Sequence, residues 1–127
     1  MKIKAILLLM LFIITGCGEV EKQPYLTVDL LMKSIQKEKY DEAFSFLSKK
    51  EQSSIEYAIE DEDATVKDVL IYQLGGWGEI KHLPDNDNRA NSKEATCTYK
   101  ITKGNKKVVF SLLKEGEEWK VNSWKKL

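Results

Sequence analysis

The sequence predicts an α+β domain in which N-terminal helices pack in a curved antiparallel sheet of four strands, after a signal peptide that is cleaved. Three observations predict this arrangement. A short apolar run follows two lysines at the N-terminus. Apolar residues then recur at helical spacing as far as the glycine pair at 75–76. Beyond that pair the spacing changes to alternation, and helices followed by consecutive antiparallel strands are typical of the α+β class.

The N-terminal segment has the order of charged, apolar and small residues that a secretory signal peptide has. Lys2 and Lys4 precede an apolar run from Ala5 to Ile14. Ten residues form about 15 Å of helix, whereas crossing the bilayer core takes about 20 residues. The run is therefore too short for a transmembrane helix, and we expect residues 1–16 to be removed.

The residues Ile14-Thr15-Gly16-Cys17 resemble the lipobox of bacterial lipoproteins, which has an aliphatic residue and two small residues before a cysteine. The resemblance implies cleavage between Gly16 and Cys17 and attachment of diacylglycerol to the Cys17 thiol. Two acyl chains anchor a protein stably. The expected location is the extracytoplasmic face of the cell membrane, with residues 17–23 as a tether of about 20 Å. The alternative is an ordinary signal peptide, with Cys17 incidental or paired with Cys97.

The rest of the chain has the size and charge balance of one ordinary domain. Without residues 1–16 it has 18 basic and 20 acidic residues and a net charge of −2, because Lys2 and Lys4 belong to the cleaved segment. One domain over residues 24–127 fits this length and buries roughly 65% of its unfolded surface. The balanced charge argues against a nucleic-acid binder, which presents a basic face.

The first two helices are predicted from Pro24 and from the apolar spacing that follows it. Proline suits the first helical position, where its missing N–H costs nothing. Apolar residues at helical spacing then predict a helix over residues 24–38. Asp41 is placed to cap a short second helix, since its carboxylate can accept a hydrogen bond from a free backbone N–H of the first turn.

Two further helical segments are predicted from pairs of capping residues. Ser48 and Glu51 have the spacing of a capping box at the start of a third helix. Thr65 and Asp68 have the same spacing and are placed to cap a continuation. The glycine pair at 75–76 is expected to end this helix, because glycine adopts the left-handed conformation without steric cost.

Four strands are predicted in the second half of the chain. The first covers Trp77–Leu83 and is stopped by Pro84, and residues 85–92 follow as a polar loop. Alternation and turn residues place three more strands at about 95–101, 108–113 and 118–124. This sheet has to cover the helices in order to bury the large aromatic residues, which are Trp77, Tyr99, Phe110 and Trp119.

Two short segments resemble small secreted domains of the nuclear transport factor 2-like (cystatin-like) superfamily, and in particular bacterial lipoproteins of unknown function with such a domain. They are Lys39–Ser48 and Trp119–Trp124. The resemblance covers about residues 24–127 and implies a cone-shaped fold with a pocket between sheet and helices. Because the superfamily includes isomerases, dehydratases and many non-catalytic members, the fold alone does not give the function. The candidate pocket-lining residues are Tyr25, Tyr57, Tyr72, Cys97, Tyr99, Phe110 and Trp119, for which core packing is the alternative.

No catalytic residue, metal site or cofactor is predicted. His82 is the only histidine, which excludes a histidine-rich metal site, and it is expected in solvent at a strand end. Cys97 lies on the inward face of its strand, and a buried structural thiol is expected there. Residues 85–88 begin like a calcium loop, but Ala90 stands where the loop needs glycine and Thr96 where it needs glutamate.

The preferred interpretation is a non-catalytic binding or scaffolding domain tethered to the membrane through lipid on Cys17. Its partner is a small apolar ligand or a protein of the cell envelope, and not a nucleic acid. One alternative is an accessory subunit of a secretion or conjugation assembly in the envelope. The other is an isomerase- or dehydratase-like enzyme, which would need polar groups such as His82 or a tyrosine to converge in a deep cavity.

Overall fold

The computed structural model describes residues 23–60 and 63–127 and confirms the α+β class. Within these residues lie four helices, namely α1 (Pro24–Gln36), α2 (Tyr40–Ser45), α3 (Lys49–Glu60) and α4 (Val66–Gln73). They are followed by five strands, which are β1 (Ile80–His82), β2 (Asn88–Asn91), β3 (Glu94–Ile101), β4 (Lys106–Glu115) and β5 (Glu118–Lys126). The signal peptide and the cleavage and lipidation residues Gly16 and Cys17 lie outside the described residues. Among the described helices, none combines the length and apolar character that crossing a membrane requires.

The sheet is antiparallel, with the order β1-β3-β4-β5, and β2 also pairs with β3. Since β4 pairs along the whole of one edge of β3, strands β1 and β2 lie one after the other along its other edge. The prediction of four strands was therefore wrong by one, and β2 falls in the segment predicted as a polar loop. All four β2 residues are exposed, so burial imposes no apolar alternation on them.

A break at Pro84 separates β1 from β2. The Leu83 N–H still bonds the Thr98 carbonyl oxygen on β3, but Pro84–Asn86 then form a 3-10 turn. Proline has no N–H to give to a sheet, which explains why pairing stops here. The chain pairs with β3 again from Asn88, so a short turn separates the two strands along this edge.

Helix boundaries follow most of the predicted capping signals. Helix α1 begins with Pro24 at its first position, and Thr65 and Asp68 form a reciprocal capping box at α4. Helix α2 differs, because it begins at Tyr40 with Lys39 as its N-cap, and Asp41 lies in its first turn. An acidic side chain in that turn is still favourable, since it faces the positive end of the helix dipole.

The end of α4 also differs from the prediction. Gly75–Trp77 form a 3-10 turn, and the left-handed glycine is Gly78, with a φ of 67°. Trp77 is therefore outside the first strand, which begins only at Ile80. Its ring packs edge-on against Phe110 with 6.0 Å between ring centroids, so it contributes to the core from the turn.

Ser48 joins α3 to the last strand. Its buried hydroxyl accepts a hydrogen bond from the Glu51 N–H at 3.1 Å and donates one to Asn122 Oδ1 at 2.8 Å. The Ser48 N–H, which a reciprocal capping box would pair with Glu51, bonds the Val121 carbonyl oxygen on β5 instead. Asn122 is the extra residue of a β-bulge, and the bulge gives the strand an additional polar residue opposite Ser48.

The core fills the space between the helices and the sheet. Phe110 and Tyr99 are fully buried at its centre and meet edge to face, with 5.6 Å between ring centroids. From the helices, Val28, Leu31 and Leu70 pack into the same core. The inward faces of the strands are therefore in contact with side chains of the helices and not with an open cavity.

Candidate functional site

A groove of about 660 Å³ opens on the surface between α1, the end of α2 and the start of β5. Its apolar lining comes from Leu26 and Leu30 of α1, Phe46 after α2, and Trp119 of β5. Leu26 and Leu30 are 41% and 48% exposed and lie four residues apart, so they form one stripe along the helix. Helix α1 thus has a second apolar stripe in addition to the one that it buries in the core.

Charged side chains surround this lining with both signs. Lys120 Nζ donates to the Ser45 carbonyl oxygen at 2.8 Å and lies 3.3 Å from a Glu118 carboxylate oxygen. Asp29 and Lys33 of α1 line the same groove. The groove therefore combines an apolar interior with a polar rim that is close to neutral, which is the usual composition of a small-molecule site.

Trp119 is the deepest of the groove residues. Its side chain is buried, and the Arg89 guanidinium and the Lys114 ammonium lie 5.0 and 5.8 Å from the ring. The Thr27 hydroxyl donates to the Trp119 carbonyl oxygen at 3.0 Å and joins α1 to β5. Within the described residues the indole N–H of Trp119 is a buried donor without a hydrogen-bond partner. Such a donor stands out, because buried tryptophan N–H groups usually have an acceptor.

His82 lies in a second cluster at the broken sheet edge. Its imidazole is stacked between the rings of Tyr25 and Tyr99, with centroids at 4.5 and 4.9 Å. Its Nε2 lies 2.8 and 3.0 Å from the two carboxylate oxygens of Asp87. The expectation of a solvated strand-end histidine was wrong, because a sequence does not show which rings and carboxylates the fold brings to that strand end.

Cys97 and Tyr99 are the buried acids of this cluster. Burial, and then the nearby charge of Asp87, raise the pKa of the Cys97 thiol to about 12. Burial, and then the hydrogen bond to Asp29, raise the pKa of Tyr99 above its usual range. The Tyr99 hydroxyl lies 2.8 Å from Asp29 Oδ1 and 3.0 Å from the Tyr25 carbonyl oxygen. Both groups are protonated at neutral pH, so Cys97 is no thiolate nucleophile there.

The candidate pocket-lining residues are dispersed in the structure. Cys97, Tyr99 and Phe110 are in the filled core, and Tyr25 is half-buried against His82. Tyr57 and Tyr72 are 79% and 88% exposed, so neither lies between sheet and helices. Each follows a buried residue, Ile55 or Leu70, by two positions, which is about 200° around a helix. Trp119 is the one member of the predicted set that lines the groove.

Several groove and cluster residues were missed by sequence reasoning. The sequence does contain a signal for Leu26 and Leu30. Their spacing of four residues places them together on α1, away from its main apolar face, and so indicates a second apolar stripe. No such signal marks Asp87. Its contact with His82 depends on the turn after Pro84, and the surrounding residues are uniformly polar.

Comparison of the chain with known proteins identifies no relative. No protein-family model, no curated protein and no solved structure matches the chain. The two sites and the pattern of residues at the N-terminus are therefore the features that bear on the function.

Proposed function

We propose that the protein is a bacterial lipoprotein anchored through Cys17 to the extracytoplasmic face of the cell membrane, with a nuclear transport factor 2-like domain that binds a small molecule without catalysis. The observation that carries the binding function is the groove formed by Leu26, Leu30, Phe46 and Trp119. Its volume is within the usual range of small-molecule sites, roughly 300–1,000 Å³. The order of helices before an antiparallel sheet supports the superfamily assignment.

The composition of the groove favours an amphipathic ligand. The leucines, Phe46 and Trp119 suit an apolar body, and the charged residues of the rim suit a polar end. The rim charges of Lys120 and Glu118 already interact with each other. Asp29 and Lys33 add one charge of each sign, so the rim has no net charge to attract a highly charged ligand, and a neutral or zwitterionic polar end fits better.

The position of the groove agrees with a membrane-proximal role. Gln23, the residue directly before α1, lines the groove, so it opens where the tether joins the domain. A tether from Cys17 to Gln23 spans at most about 20 Å. In the proposed lipoprotein the groove is therefore close to the bilayer surface, where apolar small molecules accumulate.

The alternative functions receive less support from the described residues. An isomerase- or dehydratase-like site would need polar groups in a deep cavity, whereas Tyr99 and Phe110 fill the space between helices and sheet. An accessory subunit of an envelope assembly would use the same exposed leucines to contact a protein. Native mass spectrometry separates that possibility from binding of a small molecule.

Native mass spectrometry of residues 21–127, purified without the anchor from bacterial extract, is expected to show a retained adduct of a few hundred daltons relative to the denatured mass. Leu26→Asp should abolish the adduct, because it places a charge in the apolar groove. Ile71→Asp is the matched control, since Ile71 is also 41% exposed but lies on α4. A wild-type protein that carries no adduct and binds no ANS contradicts the proposal and points to a protein partner.

Cys17→Ala is expected to prevent both lipid attachment and cleavage behind Gly16. We expect the wild-type chain to partition into the detergent phase and to have a mature N-terminus at Cys17 with the mass of added acyl chains. The variant should lack the acyl mass and keep residues 1–16. Cys97→Ala tests the other cysteine and should behave like the wild type. Normal processing of the Cys17→Ala variant would refute the lipid anchor.

A further inference from the structure

We propose that His82, Asp87 and Cys97 bind a transition-metal cation, with Zn²⁺ as the best match, at the broken edge of the sheet. The three side chains offer nitrogen, oxygen and sulfur donors, and their ligand atoms all lie within 4.8 Å of one another. None of these three donors lines the groove, so the metal site can be tested independently of the proposed ligand-binding function.

The break at Pro84 is what brings the three donors together. His82 ends β1, where its Cα pairs with Tyr99. Cys97 is two residues before Tyr99 on β3 and therefore lies on the same inward face. The 3-10 turn at Pro84–Asn86 then interrupts this edge, and Asp87, directly after the turn, lies beside His82. The sheet supplies two donors at fixed positions, and the turn supplies the third.

The chemistry of the donors favours Zn²⁺ over calcium or magnesium. Thiolate and imidazole suit borderline and soft cations, whereas calcium and magnesium prefer all-oxygen sites. Tetrahedral zinc, with bonds of about 2.0–2.3 Å, holds its donor atoms roughly 3.4–3.6 Å apart. The His82–Asp87 contact of 2.8 Å would need to open by about half an ångström, and donor atoms near the 4.8 Å limit would need to approach by about 1 Å, to bind the ion. Cys97 would bind as the thiolate and release its proton to solvent.

The surroundings fit an accessible but oriented site. The side chains of His82 and Asp87 are 17% and 30% exposed, which gives an ion a path from solvent and leaves room for water as a fourth ligand. The stacked rings of Tyr25 and Tyr99 hold the imidazole in one orientation. Asp29, held by the Tyr99 hydroxyl, adds a further negative charge that favours a cation.

Titration of the full chain in detergent with Co²⁺, used as a spectroscopic substitute for Zn²⁺, tests the site. The wild-type protein is expected to bind one Co²⁺ with a thiolate-to-metal charge-transfer band, and Zn²⁺ should abolish that band by competition. Cys97→Ser should lose the band, and His82→Gln and Asp87→Asn should weaken Co²⁺ binding at least tenfold. Asp85→Asn is the matched control, because Asp85 lies in the same turn outside the donor set, and it should bind like the wild type.

A test of folding and a variant of the groove separate the possible outcomes of the titration. Circular dichroism identifies variants that fail to fold, and His82→Gln and Asp87→Asn test the site at partly exposed positions if Cys97→Ser does not fold. Leu26→Asp, which is designed to disable the groove, should leave Co²⁺ binding unchanged. A wild-type protein without the charge-transfer band, or a band that survives Cys97→Ser in a folded protein, overturns the proposal.

Discussion

Replacement of Phe110 with alanine is expected to lower the free energy of unfolding by about 3–5 kcal/mol. Phe110 is fully buried in the middle of β4, where its neighbours are Cys97 on β3 and Trp124 on β5. Its ring also packs in T-shaped contacts with the rings of Trp77 and Tyr99. Alanine would leave a cavity lined by these rigid rings, so the site cannot collapse to fill the space.

Equilibrium unfolding in urea, followed by circular dichroism, measures this effect. A domain of this size has a total stability of roughly 5–15 kcal/mol, so the loss should shift the midpoint strongly or unfold the protein. Tyr72→Ala is the control, because that side chain is 88% exposed and its removal should change stability by less than about 0.5 kcal/mol. A loss below 1 kcal/mol for Phe110→Ala would show that the sheet and helices do not pack around this ring.

Alkaline pH is expected to destabilise the metal-free protein, prepared in the presence of a chelator, through Cys97. In the unfolded chain the thiol titrates near its ordinary value of 9.0, whereas in the folded protein its pKa is about 12. Between these values the unfolded state has lost the proton and the folded state retains it, so stability falls as pH rises. The slope approaches 1.4 kcal/mol per pH unit, and the loss from this group reaches about 2–3 kcal/mol by pH 11. Tyr99, whose pKa is also raised by burial, adds a loss of the same sign at higher pH.

Urea unfolding at intervals from pH 8 to pH 11 tests this sign and slope. Cys97→Ala removes the thiol, so its stability should vary less with pH than that of the wild type, most clearly between pH 10 and 11. Tyr72→Phe removes an exposed phenol instead and should leave the wild-type slope unchanged. Parallel curves for the wild type and Cys97→Ala would contradict the assignment of the loss to this thiol.

Elements whose signals are local could be predicted well. Pro24 and the Thr65–Asp68 pair act within one helical turn, and the structure has both helix starts where these residues indicate. Strand β3 has one buried face, so alternation from Ala95 to Ile101 revealed it. In each case the physical cause acts on residues that are neighbours in sequence, and a single chain displays it directly.

Features that depend on tertiary contacts could not be predicted. Strand β2 has both faces exposed, and without burial there is no alternation to detect. The His82–Asp87 contact depends on how the chain returns to the sheet after Pro84. The groove depends on the packing of α1 against β5, because Leu26 and Trp119 are far apart in sequence. The sequence also does not show whether a pocket between sheet and helices is open or filled, since the volume of a cavity depends on how fully side chains such as Phe110 occupy it.

Each edge of the sheet is interrupted or covered at one point along its length. On β5, the N–H and carbonyl oxygen of Val121 are already bonded to Phe46 and Ser48 of the helical segment. On the opposite side, the turn at Pro84–Asn86 interrupts the edge between two strands of only three and four residues. Exposed, continuous edges are templates for aggregation, and short or covered ones resist it. If the protein is the proposed lipoprotein, copies anchored on one membrane surface meet at high local concentration, and neither sheet edge offers them an unbroken row of free backbone groups along its described length.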